Sequence, residues 1–232
     1  MKVLVIIPAY NEQENILNTI SDIRHYCPEA DYVVVNDCSK DDTEKLLREK
    51  DTNYLSLPCN LGIGGGVQTG YLYADENGYD IAIQFDGDGQ HDARFLRDLI
   101  APIEANKADI TIGSRFIKKE GFQSSGLRRM GIGFLSGLIK LLCGIRVNDV
   151  TSGMRAVNRC FIEEYAKSYA QDYPEPEAII AAAMHGARIV EIPVMMRERQ
   201  GGKSSINPMR SIYYMIKVSL ALILTRFSSK KR

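Results

Sequence analysis

The chain lacks an excess of either charge: 29 Lys/Arg balance 29 Asp/Glu. Taken whole, it therefore gives no nucleic-acid signal. Cysteine is scarce and unpatterned. Cys27, Cys38, Cys59, Cys143 and Cys160 are odd in number, and no two have Cys-x-x-Cys spacing. They read as reduced, mostly buried thiols of a cytosolic protein, which argues against a disulfide framework or a zinc site. No apolar run is long enough to span a bilayer. The nearest, residues 212–224, is broken by Lys217. The opening run through Pro8 is too short for a signal peptide and leads straight into polar residues. Internal repeats and low-complexity linkers are missing too. Residues 1–232 read as one domain, with 206–232 a C-terminal amphipathic helix and basic tail.

Charge is present but unevenly spread. From Arg197 to Arg232 there are nine Lys/Arg and one Glu, leaving 20 basic and 28 acidic groups in the other 196 residues. A basic end on an acidic body points to an anionic partner, either phosphate groups or an anionic lipid surface. A helix over 212–224 has one apolar face. It suits a membrane interface and packing against its own domain equally well.

Short β-rich runs alternate with helical patterns through the first half. Strands are expected at 3–7, 32–35, 54–57, 81–85 and 109–112. Helices are expected after Asn11, with Glu14 completing a capping box, and after Ser39. Further helices are expected after a glycine-rich turn over 60–66 and from about 93 to 105. This alternation predicts an α/β fold: a mostly parallel sheet with helices on both faces. Beyond Arg115 the pattern gives a polar loop at 118–126 and a helix over 127–143. A helix around 177–185, a strand at 188–194, a loop at 200–205 and a last helix from Pro208 to about Phe227 follow.

Asp86-Gly87-Asp88-Gly89-Gln90-His91-Asp92 follows the apolar run 81–85. Two carboxylates one residue apart thus fall at the carboxyl end of a strand, where α/β sheets place ligands. Such charges repel unless a cation lies between them. Hard oxygen ligands suit Mg²⁺ or Mn²⁺, which suit a diphosphate. Alone, the stretch reads equally as an acidic turn, since Asp-Gly is common turn chemistry. Three more strand ends carry polar groups. Pro8-Ala9-Tyr10-Asn11-Glu12 can present backbone and the Tyr10 ring to a planar base. Asp37, in Asn36-Asp37-Cys38-Ser39, suits a base N–H or a ribose hydroxyl, and suits helix capping as well. Arg115, after Gly113-Ser114, brings a guanidinium suited to phosphate. Asn60-Leu61-Gly62-Ile63-Gly64-Gly65-Gly66 lets backbone approach a ligand, but it is neither a dinucleotide fingerprint nor a P-loop. Asp149-Val150-Thr151-Ser152-Gly153 is a polar turn suited to lining a pocket. Lys203, with Arg197 and Arg199 nearby, either closes over a diphosphate or is surface charge. His91 reads as a neighbour of the acidic site; His25 and His185 have no assigned role.

With these motifs in this order, the sequence resembles the family 2 inverting glycosyltransferases of the GT-A fold, from Val3 to about Pro208. Within the family it is similar to polyprenyl-phosphate sugar transferases of the dolichol-phosphate mannose synthase type. The resemblance implies that Pro8, Tyr10, Glu12, Asp37, Gly64 and Asp86 hold the nucleotide. It implies that Asp86, Asp88 and Gln90 hold Mg²⁺ or Mn²⁺. Asp88, Arg115 and Lys203 would be the catalytic groups, and Arg128 and Arg129 would bind the acceptor. Asn36-Asp37-Cys38-Ser39 replaces the commoner Asp-Asp-Gly-Ser, which bears on nucleotide preference.

The expected reaction moves a sugar from a nucleotide-diphosphate sugar, UDP favoured over GDP, to a polyprenyl phosphate. A sugar hydroxyl acceptor needs a general base; a lipid phosphate is already anionic. The second half carries no Glu-Asp pair of the kind found in hydroxyl-using relatives, although Glu175 and Glu177 are candidates. The alternatives are a transferase extending a cell-surface polysaccharide and a non-catalytic nucleotide-sugar-binding module. The expected location is the cytoplasm, free or peripheral on the inner face of the plasma membrane. Whether a small membrane-protein partner holds the chain there stays open.

Overall fold

A computed structural model describes residues 1–118, 126–197 and 208–228. Among these residues seven strands form one sheet in the order β3-β2-β1-β4-β6-β5-β7. They are β1 (Val3–Ala9), β2 (Asp31–Asn36), β3 (Tyr54–Ser56), β4 (Ile81–Gln84), β5 (Ile110–Ser114), β6 (Arg155–Asn158) and β7 (Ile189–Pro193). β1 pairs in parallel with β2 and β4, β2 with β3, and β5 with β7. β6 lies antiparallel between β4 and β5. The mostly parallel sheet expected from the alternation is therefore present, with one reversed strand in its middle.

β1 is buried along its whole length, as an inner parallel strand should be. Its side chains divide by the two-residue period. Leu4 and Ile6 join the core on one face, and Val3, Val5 and Ile7 join the core on the other. Each such side chain contributes about 1.5–3 kcal/mol of burial. Helices α1 (Ile16–Tyr26), α2 (Thr43–Glu49) and α4 (Leu96–Glu104) cover the second face through Ile16, Ile23, Leu47 and Leu99. Helices α3 (Gly62–Glu76), α5 (Gly126–Cys143), α6 (Arg159–Lys167), α7 (Pro174–Met184) and α8 (Pro208–Ser228) cover the first.

Three local expectations change. α1 starts at Ile16, so Asn11 and Glu14 form no capping box. Asn11 adopts a left-handed φ of 57°, and its side-chain oxygen accepts the Lys40 N–H at 2.8 Å, tying the β1 and β2 loops together. The glycine-rich turn is instead the first turns of α3, because the helix already begins at Gly62. β6 and α6 add to the expected pattern, since Arg155-Ala156-Val157-Asn158 is short and opens on a charged residue.

Chain order runs β1, β2, β3 outward, then returns to place β4 on the other side of β1. The carboxyl ends of β1 and β4 therefore flank the switch point, where open α/β sheets bind ligands.

Candidate active site

A cleft of about 390 Å³ opens at that switch point. Pro8, Tyr10 and Glu12 line it from the end of β1, Asp37 from the end of β2, and Asp86 and Asp88 from the loop after β4. The mouth of α3 closes it through Gly62, Ile63 and Gly66. Tyr10 is 42% exposed, so its ring is presented to the opening.

Asp37 is held firmly. One carboxylate oxygen accepts the Leu61 N–H at 2.6 Å and the other the Gly62 N–H at 2.9 Å. It thus caps α3 while forming part of the cleft wall. Glu12 accepts from the Asn15 amide at 2.9 Å, which fixes its carboxylate beside α1.

The acidic loop is a tight turn. Asp88 Oδ1 accepts the Gln90 N–H at 3.0 Å, and Gly89 between them takes φ +75°. The Gly87 N–H donates to the Pro8 carbonyl at 3.3 Å, joining this loop to β1. His91 supports the turn from inside. It is 3% exposed, its Nδ1 accepts the Asp86 N–H at 3.0 Å, and its ring stands edge-on to Phe85. Burial pulls its pKa down to about 4, so it is neutral near pH 7.

Asp86 faces the cleft with about a third of its side chain open, 34%. Burial raises its pKa; the Gln84 hydrogen bond and the charges of Arg155 and Arg115 oppose the rise. Gln84 donates to Asp86 Oδ1 at 3.4 Å and accepts from the Tyr169 hydroxyl at 3.4 Å. Gly153 lies against the carboxylate; a Cβ there would be 2.6 Å from Oδ2. Beneath it sits Arg155, 1% exposed, donating to the carbonyls of Ser152 at 2.6 Å and Glu175 at 3.0 Å.

Not every expected residue lies on the cleft. Arg115 is 5% exposed, and its guanidinium makes a two-pronged pair with Asp149, 2.6 Å on each arm. Gly64 is turned the other way, because a helix beginning at Gly62 points position 64 at residues 170–171. A Cβ there would collide with the carbonyls of Ala170 and Gln171, so Gly64 is a packing glycine. Gln90 is absent from the cleft wall, and its backbone is what the loop uses: its carbonyl accepts the Arg197 N–H at 2.9 Å. Arg128 and Arg129 are exposed in the first turn of α5. Lys203 and Arg199 lie outside the described residues. Sequence reasoning missed Gln84, Arg155 and the Arg197 ion pairs with Asp22 and Asp92. A charged residue inside an otherwise apolar strand was the signal available for Arg155.

Among the described residues no three His, Cys, Asp or Glu side chains come together as a metal cluster. Asp86 and Asp88 nevertheless offer two hard carboxylates to one open cleft. That donor set suits a cation that takes its remaining ligands from water and substrate phosphates.

The fold is a mostly parallel seven-stranded sheet with a cleft at its switch point. It is shared with glucosyl-3-phosphoglycerate synthase from Mycobacterium tuberculosis in complex with Mn²⁺, UDP and phosphoglyceric acid. That match has a TM-score of 0.71 and 20% identity, and covers 97% of this chain and 78% of the other. The profile of glycosyl transferase family 2 matches residues 4–166, and the chain belongs to that family. An undecaprenyl-phosphate mannosyltransferase of Micrococcus luteus is 29% identical over 221 residues, covering 89% of this chain and 88% of the relative. A UDP-N-acetylglucosamine–dolichyl-phosphate N-acetylglucosaminyltransferase of Methanococcus voltae is 31% identical over 212 residues, covering 83% and 84%. The fold is GT-A, and the chain is a glycosyltransferase.

Proposed function

We propose that this enzyme moves a sugar from a nucleotide-diphosphate sugar to a polyprenyl phosphate, inverting the anomeric carbon, with Mg²⁺ or Mn²⁺ as cofactor. The observation that carries the reading is the single cleft holding Tyr10 and Asp37 together with the Asp86/Asp88 pair. The acceptor class rests on the relatives, which are polyprenyl-phosphate sugar transferases by name.

In this reading Pro8 and Tyr10 flank the base, and Asp37 and Glu12 fix the nucleoside. Asp86 and Asp88 would hold the cation, and Gln90 keeps their loop in shape through its backbone. When bound, the cation neutralises charge gathering on the departing diphosphate. Lys203 adds positive charge toward the same group, while Arg115, held off the cleft by Asp149, acts through its charge on Asp86. Arg128 and Arg129 receive the acceptor phosphate. A phosphate oxygen forms the new bond to the anomeric carbon as the bond to the diphosphate breaks, and the electron pair leaves on the diphosphate. No proton has to be removed from an anionic phosphate. UDP is the preferred nucleotide. The chain works at the cytoplasmic face of the membrane, where its acceptor lies.

One observation favours a second reading, transfer to a sugar hydroxyl. Burial raises the Glu175 carboxyl above its ordinary range, with Arg155 opposing, and the charge of Asp86 adds to the rise. A carboxylate of raised pKa close to the acidic loop is suited to general-base work.

The test supplies purified protein with Mg²⁺ or Mn²⁺, a panel of UDP-, GDP- and dTDP-sugars and a short polyprenyl phosphate, with mass spectrometry of the lipid fraction. The expected result is a glycolipid, lost with EDTA and with Asp88→Ala. Nucleotide-sugar binding without glycolipid, and transfer to an oligosaccharide that Glu175→Gln abolishes, would establish the second reading instead.

A further inference from the structure

All five cysteines carry free thiols, and only Cys27 is buried. The expectation of mostly buried thiols changes accordingly: Cys59 and Cys160 are exposed, and Cys38 and Cys143 are half-buried. Burial pushes the Cys27 thiol up to about 11 and raises that of Cys143 too, so neither ionises readily. Cys38 and Cys59 stand apart from the rest, because they lie on neighbouring loops at the rim of the cleft.

Those loops leave the carboxyl ends of β2 and β3. The two strands pair in parallel as far as Asn36 and Ser56, and the Leu57 N–H carries the ladder on to the Asn36 carbonyl at 2.9 Å. The Cys38 thiol then turns toward the partner loop and donates to the Pro58 carbonyl at 3.9 Å. In this register Cys59 falls one residue beyond the position opposite Cys38. With neighbouring strands about 4.8 Å apart and about 3.3 Å per residue, the two Cα atoms are about 6 Å apart. A disulfide accepts Cα separations of about 4.4–6.8 Å.

Backbone geometry singles out the same residue. Cys38 takes a left-handed φ of 56°, a conformation that glycine adopts without strain and cysteine does not. The commoner Asp-Asp-Gly-Ser has glycine at this place. A side chain kept in a strained position points to a use for that side chain.

The neighbours of both thiols form the cleft. Asp37 and Asn60, each one residue from a cysteine, line it. The Asn60 amide donates to the Asp37 carbonyl at 3.1 Å, and the Asp37 carboxylate holds the Leu61 and Gly62 N–H groups. A covalent bond between residues 38 and 59 therefore pulls directly on the carboxylate that caps α3.

We infer that Cys38 and Cys59 are an oxidative modification site, a thiol pair that closes to a disulfide and thereby weakens nucleotide binding. The effect on nucleotide rests on the nucleotide-sugar reading of the cleft; closure of the pair does not. The oxidant is a small disulfide such as glutathione disulfide. The exposed Cys59 thiolate attacks one of its sulfurs, the S–S bond breaks, and one glutathione leaves as thiolate with the electron pair. The Cys38 thiolate then attacks the Cys59 sulfur of the mixed disulfide and expels the second glutathione. Two protein thiols are oxidised and give up two protons, and one glutathione disulfide is reduced to two glutathiones.

The test exposes the reduced full chain to glutathione disulfide, traps the remaining thiols with iodoacetamide, and maps cross-links in an unreduced digest by mass spectrometry. Titration calorimetry with UDP and with GDP, in the presence of Mn²⁺, is run on the same samples. A peptide joining Cys38 to Cys59 is expected, with a nucleotide Kd raised by about fivefold or more, the equivalent of about one net hydrogen bond. Dithiothreitol should reverse both. Cys38→Gly and Cys59→Ser should each fold, because glycine suits the φ at 38 and Cys59 is exposed. Each should bind nucleotide like the reduced parent and lose the response to the oxidant. Absence of a Cys38–Cys59 peptide, whether glutathione stays on Cys59 or no reaction occurs, overturns the inference. So does a cross-link that leaves nucleotide affinity unchanged. A reduced chain that binds neither nucleotide while the cross-link still forms upholds the thiol pair and strikes the nucleotide reading instead.

Discussion

Gly153→Ala should separate the chemistry of the cleft from the stability of the fold. A Cβ at position 153 would lie 2.6 Å from Asp86 Oδ2 and 2.9 Å from Oδ1, whereas ordinary contact begins at 3.4 Å. The carboxylate must therefore retreat by about 0.8 Å, the difference between 3.4 and 2.6 Å. It has room to do so, because its side chain is 34% open and its Gln84 bond, at 3.4 Å, is long. The stability loss should stay near or below about 1 kcal/mol, the worth of one hydrogen bond. Catalysis is less forgiving: a misplacement approaching 1 Å costs on the order of 10²-fold, or about 2.7 kcal/mol of barrier. The assay is kcat/KM for glycolipid formation beside a thermal melt of the same preparation. Gly133→Ala is the control, with nothing within 4 Å of the added methyl. It should leave kcat/KM unchanged and add up to about 1 kcal/mol of helix stability. If Gly153→Ala keeps kcat/KM within about threefold of the parent, the position of the Asp86 carboxylate does not govern the reaction, and the reasoning from close positioning of the reacting groups fails.

Asp149→Asn removes the negative charge that Arg115 grips on two arms and should cost about 3–5 kcal/mol in urea unfolding; a loss below about 1 kcal/mol would refute the view that this buried ion pair matters to stability. Asp37→Ala strips two N–H partners from the start of α3, with an expected loss of about 1–2 kcal/mol and weaker nucleotide binding by calorimetry. Gly70→Ala drives a methyl into Ile6 in the core and should cost about 1–3 kcal/mol, read from the melt. His91 has a folded pKa of about 4 against an ordinary 6.5, so between those values the unfolded chain binds a proton that the native state refuses. Stability should then fall as pH drops from about 6.5 toward 4, with a slope approaching about 1.4 kcal/mol per pH unit. Urea titrations of wild type and His91→Gln check this: the variant should lack that part of the slope.

The strand ends are legible in the sequence because each follows an apolar run and carries a polar group at a fixed place. Pro8, Tyr10, Asp37, Asp86 and Asp88 consequently fall together in the structure. β6 is hidden because Arg155, a fully buried cation, interrupts the pattern that identifies strands. Its burial depends on the Ser152 carbonyl three residues before it and on the Glu175 carbonyl, which only the tertiary fold brings to it. Gly64 shows the opposite limit. Its composition suggests a turn, yet three successive glycines can continue a helix when close packing against residues 170–171 requires their small size. Arg115 is placed correctly at the sheet edge but not in its environment, because Asp149 lies 34 residues away in the chain.

The reversed strand also has a consequence for the order in which the chain can assemble as it is made. β1 to β4 finish at Gln84, and each of their pairings with one another lies within residues 3–84, so this half of the sheet can zip as it emerges. β5 is synthesised next but pairs with neither β1 nor β4. Its neighbours are β6 and β7, both still unmade when Ser114 appears. The second half of the sheet must wait for Arg155–Asn158 to reach back to β4, and α8 then closes the core last with Val218 and Leu222. Assembly thus has a built-in pause at the seam between the halves, during which the apolar edge of β4 is exposed. That interval is when the nascent chain depends most on slow aggregation or on chaperones.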